Sequence, residues 1–88
     1  YEAVGRYRLL KKLANGNMGE VFLAEYGGEA GFVRRVVVKR LFSHLAHHPE
    51  AVRMFQEEAH VLSSLNHPNI PQVYDLGTAD GHWFLVIE

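Results

Sequence analysis

No cysteine occurs in the 88 residues, so disulfides, thiolate metal sites and a cysteine nucleophile are excluded from this segment, and a reducing, cytoplasmic setting is the expectation. Excess charge of either sign is also missing: nine Lys plus Arg stand against ten Asp plus Glu, a formal net charge of -1. A surface built to collect nucleic acid or an acidic membrane needs a basic surplus, so neither is expected as a partner. No apolar stretch approaches the roughly 18–20 residues that span a bilayer, and no charged-then-apolar leader opens the chain. Internal repeats and low-complexity tracts are absent as well. At this length one domain at most is expected, with a small core and a narrow stability margin. Tyr1 is not an initiator methionine, and Glu88 follows the apolar run Trp83-Phe84-Leu85-Val86-Ile87 without a turn, so the segment reads as a piece of something longer.

What is present is a globular composition, 48% hydrophobic and 22% charged, too apolar for disorder. Tyr7 to Leu13 and Glu20 to Tyr26 carry apolar, β-branched and aromatic side chains on either side of Ala14-Asn15-Gly16-Asn17-Met18-Gly19, which is a hairpin signature. The glycines between Tyr26 and Phe32 allow a second reversal centred near Glu29 and Ala30, after which Val33 to Leu41 supplies a valine-rich third strand. From Pro49 to Leu65, the residues Val52, Phe55, Ala59, Leu62 and Leu65 recur at steps of three and four and line one helical face. Pro49 forfeits no needed donor in a first turn, Glu50 complements the positive end of the dipole, and Asn66 and Pro68 suit termination. Ile70 to Leu76 and His82 to Ile87 read as two more strands around the polar turn Gly77-Thr78-Ala79-Asp80-Gly81. The predicted order is β-β-β-α-β-β, an α+β domain with a five-stranded antiparallel sheet and one long helix.

Three places carry candidate chemistry. In Leu13-Ala14-Asn15-Gly16-Asn17-Met18-Gly19-Glu20-Val21, Gly16 and Gly19 would let backbone amides approach an anion with no Cβ in the way. Taken alone, the stretch reads first as a hairpin turn with no ligand. Lys39 shares a strand face with Val37 and Leu41, opposite Val36 and Val38. It reads equally as an edge lysine that discourages aggregation or as a functional cation. A turn centred near Glu29 and Ala30 places Glu20 roughly opposite Lys39 in the ladder, which brings the ammonium near the glycine loop, where it can neutralise phosphate. Glu58 sits three residues after Phe55 and four before Leu62, on the apolar helix stripe, where a charge needs a partner. Glu57 instead lies four after Arg53, on the solvated side. Glu58 is therefore the expected ion-pair partner of Lys39.

A glycine-rich loop, a Val-Val-Val-Lys strand, a helix glutamate in Phe55-Gln56-Glu57-Glu58-Ala59, then His67-Pro68-Asn69-Ile70 and a closing strand follow one another in this order. The series resembles the N-terminal lobe of protein kinases, and of bacterial-type Ser/Thr protein kinases in particular. The resemblance spans nearly the whole chain and makes residues 1–88 an N-lobe lacking its C-lobe. It implies an ATP-binding lobe of an enzyme that transfers the γ-phosphate to protein hydroxyls, with Mg2+ held by ligands in a C-lobe supplied in cis. Leu13, Val21 and Val37 would enclose the adenine. Gly16 and Gly19 would cover the phosphates, Lys39 would contact α- and β-phosphate oxygens, and Glu58 would hold Lys39 in place. Ile87 falls at the gatekeeper and Glu88 at the start of the hinge, with its carbonyl facing the adenine amino group. Leu62 and Val73 would belong to the packed column joining the helix to the other lobe. Without the catalytic loop the lobe alone would be inactive, and with apolar surface around Val21, Val37, Leu62 and Ile87 uncovered it is expected to self-associate or to be marginally stable.

Ala14 stands where the family has its first loop glycine, and Val37 where a small alanine is usual. Both touch the nucleotide pocket, so weakened ATP binding is expected; alanine costs something only if that backbone needs positive φ. The same departures leave open a pseudokinase or scaffold, with weak or no nucleotide binding, as the alternative reading, and a small-molecule kinase as a third. The protein substrate is not legible. Among six histidines, His44 and His48 have helical i, i+4 spacing beside His47, but no third ligand or H-E-x-x-H pattern is apparent, and a solvated surface cluster is the reading adopted. His67 is expected to hydrogen-bond locally.

Overall fold

A computed structural model of the chain describes residues 3–27 and 31–88. Its elements are β1 (Ala3–Val4), β2 (Tyr7–Asn15), β3 (Gly19–Gly27), β4 (Val33–Leu41), α1 (Pro49–Ser64), β5 (Val73–Ala79) and β6 (His82–Ile87), with a 3-10 turn at Ser43–Leu45. All six strands form one antiparallel sheet in the order β1-β2-β3-β4-β6-β5. The sequence reading anticipates five of them. The sixth is the two-residue β1, which pairs with Arg8 and Tyr7 across a turn where Gly5 takes φ 58.

Alternation along the strands builds two cores, one on each face of the sheet. On one face Val4, Tyr7, Leu9, Phe22, Ala24, Val36, Val38, Phe84 and Val86 are buried together. On the other, Leu41 and Leu85 pack against Phe55 and Ala59 of α1, with Val52, Leu62, Val73 and Ile87 around them. The helix therefore docks by the face that its three-and-four periodicity marks. It starts at Pro49 as expected, with Glu50 in the first turn, and ends at Ser64, one residue short of the predicted Leu65. Two bulges in β2, at Leu10 and Leu13, bend that strand and help curl the sheet.

Three expectations are corrected. Residues 70–72 are not strand: β5 begins at Val73, after Pro71, which has no N–H to give a ladder. At its other end β5 runs on through Gly77, Thr78 and Ala79, because the reversal needs only Asp80 (φ 52) and Gly81 (φ 80). An Asp-Gly pair with both φ positive is the turn whose twist suits a two-residue hairpin. Third, Lys39 stands opposite Val21, and Glu20 opposite Arg40. Five residues, an odd number, separate the last pair Gly27–Val33, which moves the register one residue from a turn centred between Glu29 and Ala30. Those two residues lie outside the described ones.

Candidate functional site

The face that carries Lys39 is the candidate site. Across the ladder from Lys39 stand Val21 on β3 and Leu85 on β6, while Val37 faces Leu23 and Ile87. Paired residues share a sheet face, so Val21, Val37, Leu85 and Ile87 make an apolar floor around one ammonium. Farther along, this face is closed by α1 through Leu41 and Leu85.

From α1, Glu58 reaches back to that ammonium. Lys39 Nζ donates to Glu58 Oε1 at 3.1 Å and to Oε2 at 3.0 Å. The expected ion pair is thus formed, with side-chain exposures of 22% for Lys39 and 39% for Glu58. Phe55 and Ala59, one on each side of Glu58 in sequence, are buried and fix the turn of helix that delivers it. Arg53 meanwhile pairs with Glu50 and Glu57 on the exposed side, as the helix spacing predicts.

Over the end of β3, the glycine segment forms a tight hairpin in which Gly16 N–H donates to the Gly19 carbonyl at 2.7 Å. Its two glycines differ in what they do. A Cβ on Gly19 would lie 2.3 Å from the Arg40 carbonyl oxygen, so glycine is required there by the backbone of β4. A Cβ on Gly16 would meet nothing nearer than 3.6 Å. Gly19→Ala should therefore pry β3 from β4 and lower the melting temperature by several degrees, a cost of about 1–3 kcal/mol, whereas Gly16→Ala should leave it nearly unchanged. Equal melting of the two variants would contradict this account. Ala14 is not among the described residues with positive φ, where Asp80 is the one non-glycine, so alanine there carries no left-handed cost. Leu13 is the extra residue of a β2 bulge and is half exposed.

Glu20 lies on the opposite face of β3 from Val21. Its Oε2 accepts from Lys12 Nζ at 3.1 Å and its Oε1 from Arg40 Nη2 at 3.3 Å. Partial burial pushes its carboxyl upward, but the hydrogen bonds and charges of Lys12 and Arg40 prevail and hold it below the ordinary range. A carboxyl depressed in the folded state stabilises the fold above its unfolded pKa, and that contribution is lost as pH falls through the folded value.

At the far end of β6, Glu88 N–H donates to the Gln72 carbonyl at 3.0 Å. Tyr74, the extra residue of a bulge between Val73 and Asp75, donates its hydroxyl to Glu88 Oε2 at 3.3 Å. Sequence reasoning missed both this tyrosine and the Lys12-Glu20-Arg40 cluster. Cross-strand register, which sequence spacing leaves open by one residue, is the signal that would have found the cluster. Three of the histidines sit in local contacts. Asn69 N–H donates to His67 Nδ1 at 3.1 Å. His44 stacks on Phe42 within the 3-10 turn, and His48 is the N-cap residue of α1, so their i, i+4 spacing is not on one helix.

A curled antiparallel sheet with one helix, a glycine hairpin and a lysine-glutamate pair between strand and helix is the N-terminal lobe fold of protein kinases. The family described as protein tyrosine and serine/threonine kinase matches residues 7–88, and the chain belongs to it. It is 46% identical over 84 residues to the tyrosine-protein kinase MasK of Myxococcus xanthus, spanning 96% of this chain and 13% of MasK. To the serine/threonine-protein kinase PrkC of Bacillus subtilis it is 40% identical over 84 residues, spanning 96% of this chain and 12% of PrkC. A solved structure of the PknI kinase domain of Mycobacterium tuberculosis superposes with a TM-score of 0.73 at 31% identity, over 99% of this chain and 34% of that one. The chain is thus a small part of the length of its curated relatives. Among the described residues no helix is long and apolar enough to cross a membrane.

Proposed function

We propose that this lobe holds ATP for a protein kinase that phosphorylates serine or threonine hydroxyls. The observation that carries the reading is the two-point grip of Glu58 on Lys39, on an apolar floor beside the glycine hairpin. ATP is the substrate here. Its adenine lies among Leu13, Val21, Val37 and Ile87, with the Glu88 carbonyl as acceptor for the amino group. The phosphates lie under the hairpin that starts after Ala14 and runs from Gly16 to Gly19, and Lys39 neutralises the α- and β-phosphate oxygens. Glu58 keeps the ammonium at that position, so that little ordering remains to be done when the nucleotide arrives.

On this reading the Mg2+ ligands and the catalytic base belong to a C-lobe in cis. The lobe by itself is then inactive. Titration calorimetry of the full-length kinase with Mg-ATP tests the reading, and undetectable binding contradicts it in favour of a scaffold. Phosphoamino-acid analysis of the product tests the acceptor class: phosphotyrosine alone overturns the Ser/Thr assignment, which MasK, a tyrosine-protein kinase by name, makes worth testing.

The surface left for a second lobe includes a groove of about 690 Å3 between the end of α1 and β5, lined by Leu62, Leu65, Ile70, Val73 and Glu88. On the Lys39 face, Val21 and Val37 are also partly exposed. Expressed alone, residues 1–88 should self-associate or be marginally stable. A monodisperse monomer in sedimentation with a sharp unfolding transition would refute that.

A further inference from the structure

The glycine hairpin is fastened around Arg40 to β4, the strand that also carries Lys39, and to the residue just after that strand. Three contacts join the hairpin to β4 at this point. The backbone of Gly19 sits so close to the Arg40 carbonyl that a Cβ would come within 2.3 Å of it. Just beyond, Phe42 N–H donates to the Met18 carbonyl at 2.8 Å. On the side-chain level, Glu20 closes the hairpin opposite Asn15, stands opposite Arg40, and is bonded to Arg40 at 3.3 Å and to Lys12 at 3.1 Å. One carboxylate thereby ties β2, β3 and β4 at the base of the hairpin. Arg40 is in turn braced by its guanidinium lying over the Phe22 ring, 5.2 Å from the centroid.

Arg40 is the chain neighbour of Lys39, and alternation sends the two side chains to opposite faces of β4. Glu20 and Arg40 therefore stand outside the nucleotide face and touch neither ATP nor Glu58. Among the described residues, Lys12 from β2 and Arg40 from β4 pair with Glu20, and both are cations, so its carboxylate is held in the charged form.

We infer that the Lys12-Glu20-Arg40 cluster is a positioning device that fixes the height of the glycine hairpin relative to Lys39, so that hairpin and ammonium close on the phosphates as one unit. This rests on the nucleotide reading above. A hairpin released from β4 still folds over the phosphates, but each nucleotide must then order it on arrival. The loss is in binding, and the chemistry once bound is little changed.

The test is steady-state kinetics of the full-length kinase. Glu20→Gln is expected to raise KM for ATP about 3- to 10-fold with kcat within about two-fold. Arg40→Met should do the same, Arg40→Lys should recover part of the effect, and the double variant Glu20→Gln/Arg40→Met should be no worse than the poorer single one. Melting temperatures distinguish positioning from misfolding: Glu20→Gln and Arg40→Lys are expected to melt as the parent does, and the KM effect of Glu20→Gln must persist well below the melting temperature. An unchanged KM for Glu20→Gln, an equal loss in kcat, or additive singles overturns the inference while leaving ATP binding by the parent intact. Absence of ATP binding by the parent overturns the inference and the nucleotide reading together.

Discussion

Lys39→Met in the full-length kinase is expected to lower phosphoryl transfer about 100- to 1,000-fold, the loss seen when one preorganised electrostatic donor is taken from a site where charge must be neutralised. Methionine keeps the length and apolar stem of lysine, so the strand and its neighbours Val21 and Leu85 have no reason to move. What disappears is the ammonium and, with it, both bonds to Glu58. Glu58→Gln should cost less, because glutamine still offers Lys39 one acceptor while the charge that fixes the ammonium is gone. A loss of about 10-fold is the expectation for a charge-assisted bond reduced to a neutral one. Both are read from initial rates at saturating and limiting ATP. Rates that survive Lys39→Met would refute the phosphate role of the lysine. A parent that never transfers phosphate but keeps its protein partners in both variants would be the scaffold that Val37, bulkier than alanine over the base, leaves as the competing reading.

The ordering of charged residues along the chain made this site readable before the fold was known. Phe55, Glu58, Ala59 and Leu62 announce a helix face with one charge on it, and that charge needs a cation; Lys39 sits among valines and needs an anion. Each oddity answers the other. Strand alternation is equally firm, since Val36 and Val38 against Val37, Lys39 and Leu41 sort onto two faces whatever the neighbouring strand does. Register is not firm. Moving the β3-β4 turn by half a residue exchanges Glu20 for Val21 opposite Lys39, and with that exchange the Lys12-Glu20-Arg40 cluster appears on one face and the apolar floor on the other. Bulges are similarly hidden. Leu13 and Tyr74 are ordinary strand residues by composition, and become special because the partner strand is one residue shorter there. The end of β5 is hidden for a different reason: Gly77 and Thr78 look like turn residues, yet Asp80-Gly81 already supplies a complete reversal and leaves them to pair with Phe84 and Trp83.

The largest effect on stability should come from Phe55→Ala. Phe55 and Ala59 are the buried residues of α1, with Val52 and Leu62 partly buried beside them, and alanine offers the sheet little surface, so the Phe55 ring is the largest single contact that holds the helix to Leu41 and Leu85. Removing a fully buried phenylalanine costs about 3–5 kcal/mol once the cavity is counted, a large part of the roughly 5–15 kcal/mol that holds a whole domain together. In a kinase domain of ordinary size this corresponds to a fall in melting temperature of about 6–20 °C. Met54, next to Phe55 but half exposed, is the control: Met54→Ala should stay within about 0.5 kcal/mol of the parent. If the two variants melt together, α1 is not held by Phe55. If Phe55→Ala melts early as expected, ATP affinity should fall with it well below the melting temperature, because a helix loosened from the sheet takes Glu58 away from Lys39. An affinity that stays unchanged while the helix loosens would show that the ion pair is not needed to bind the nucleotide, and would leave Glu58 a role in the transfer step alone.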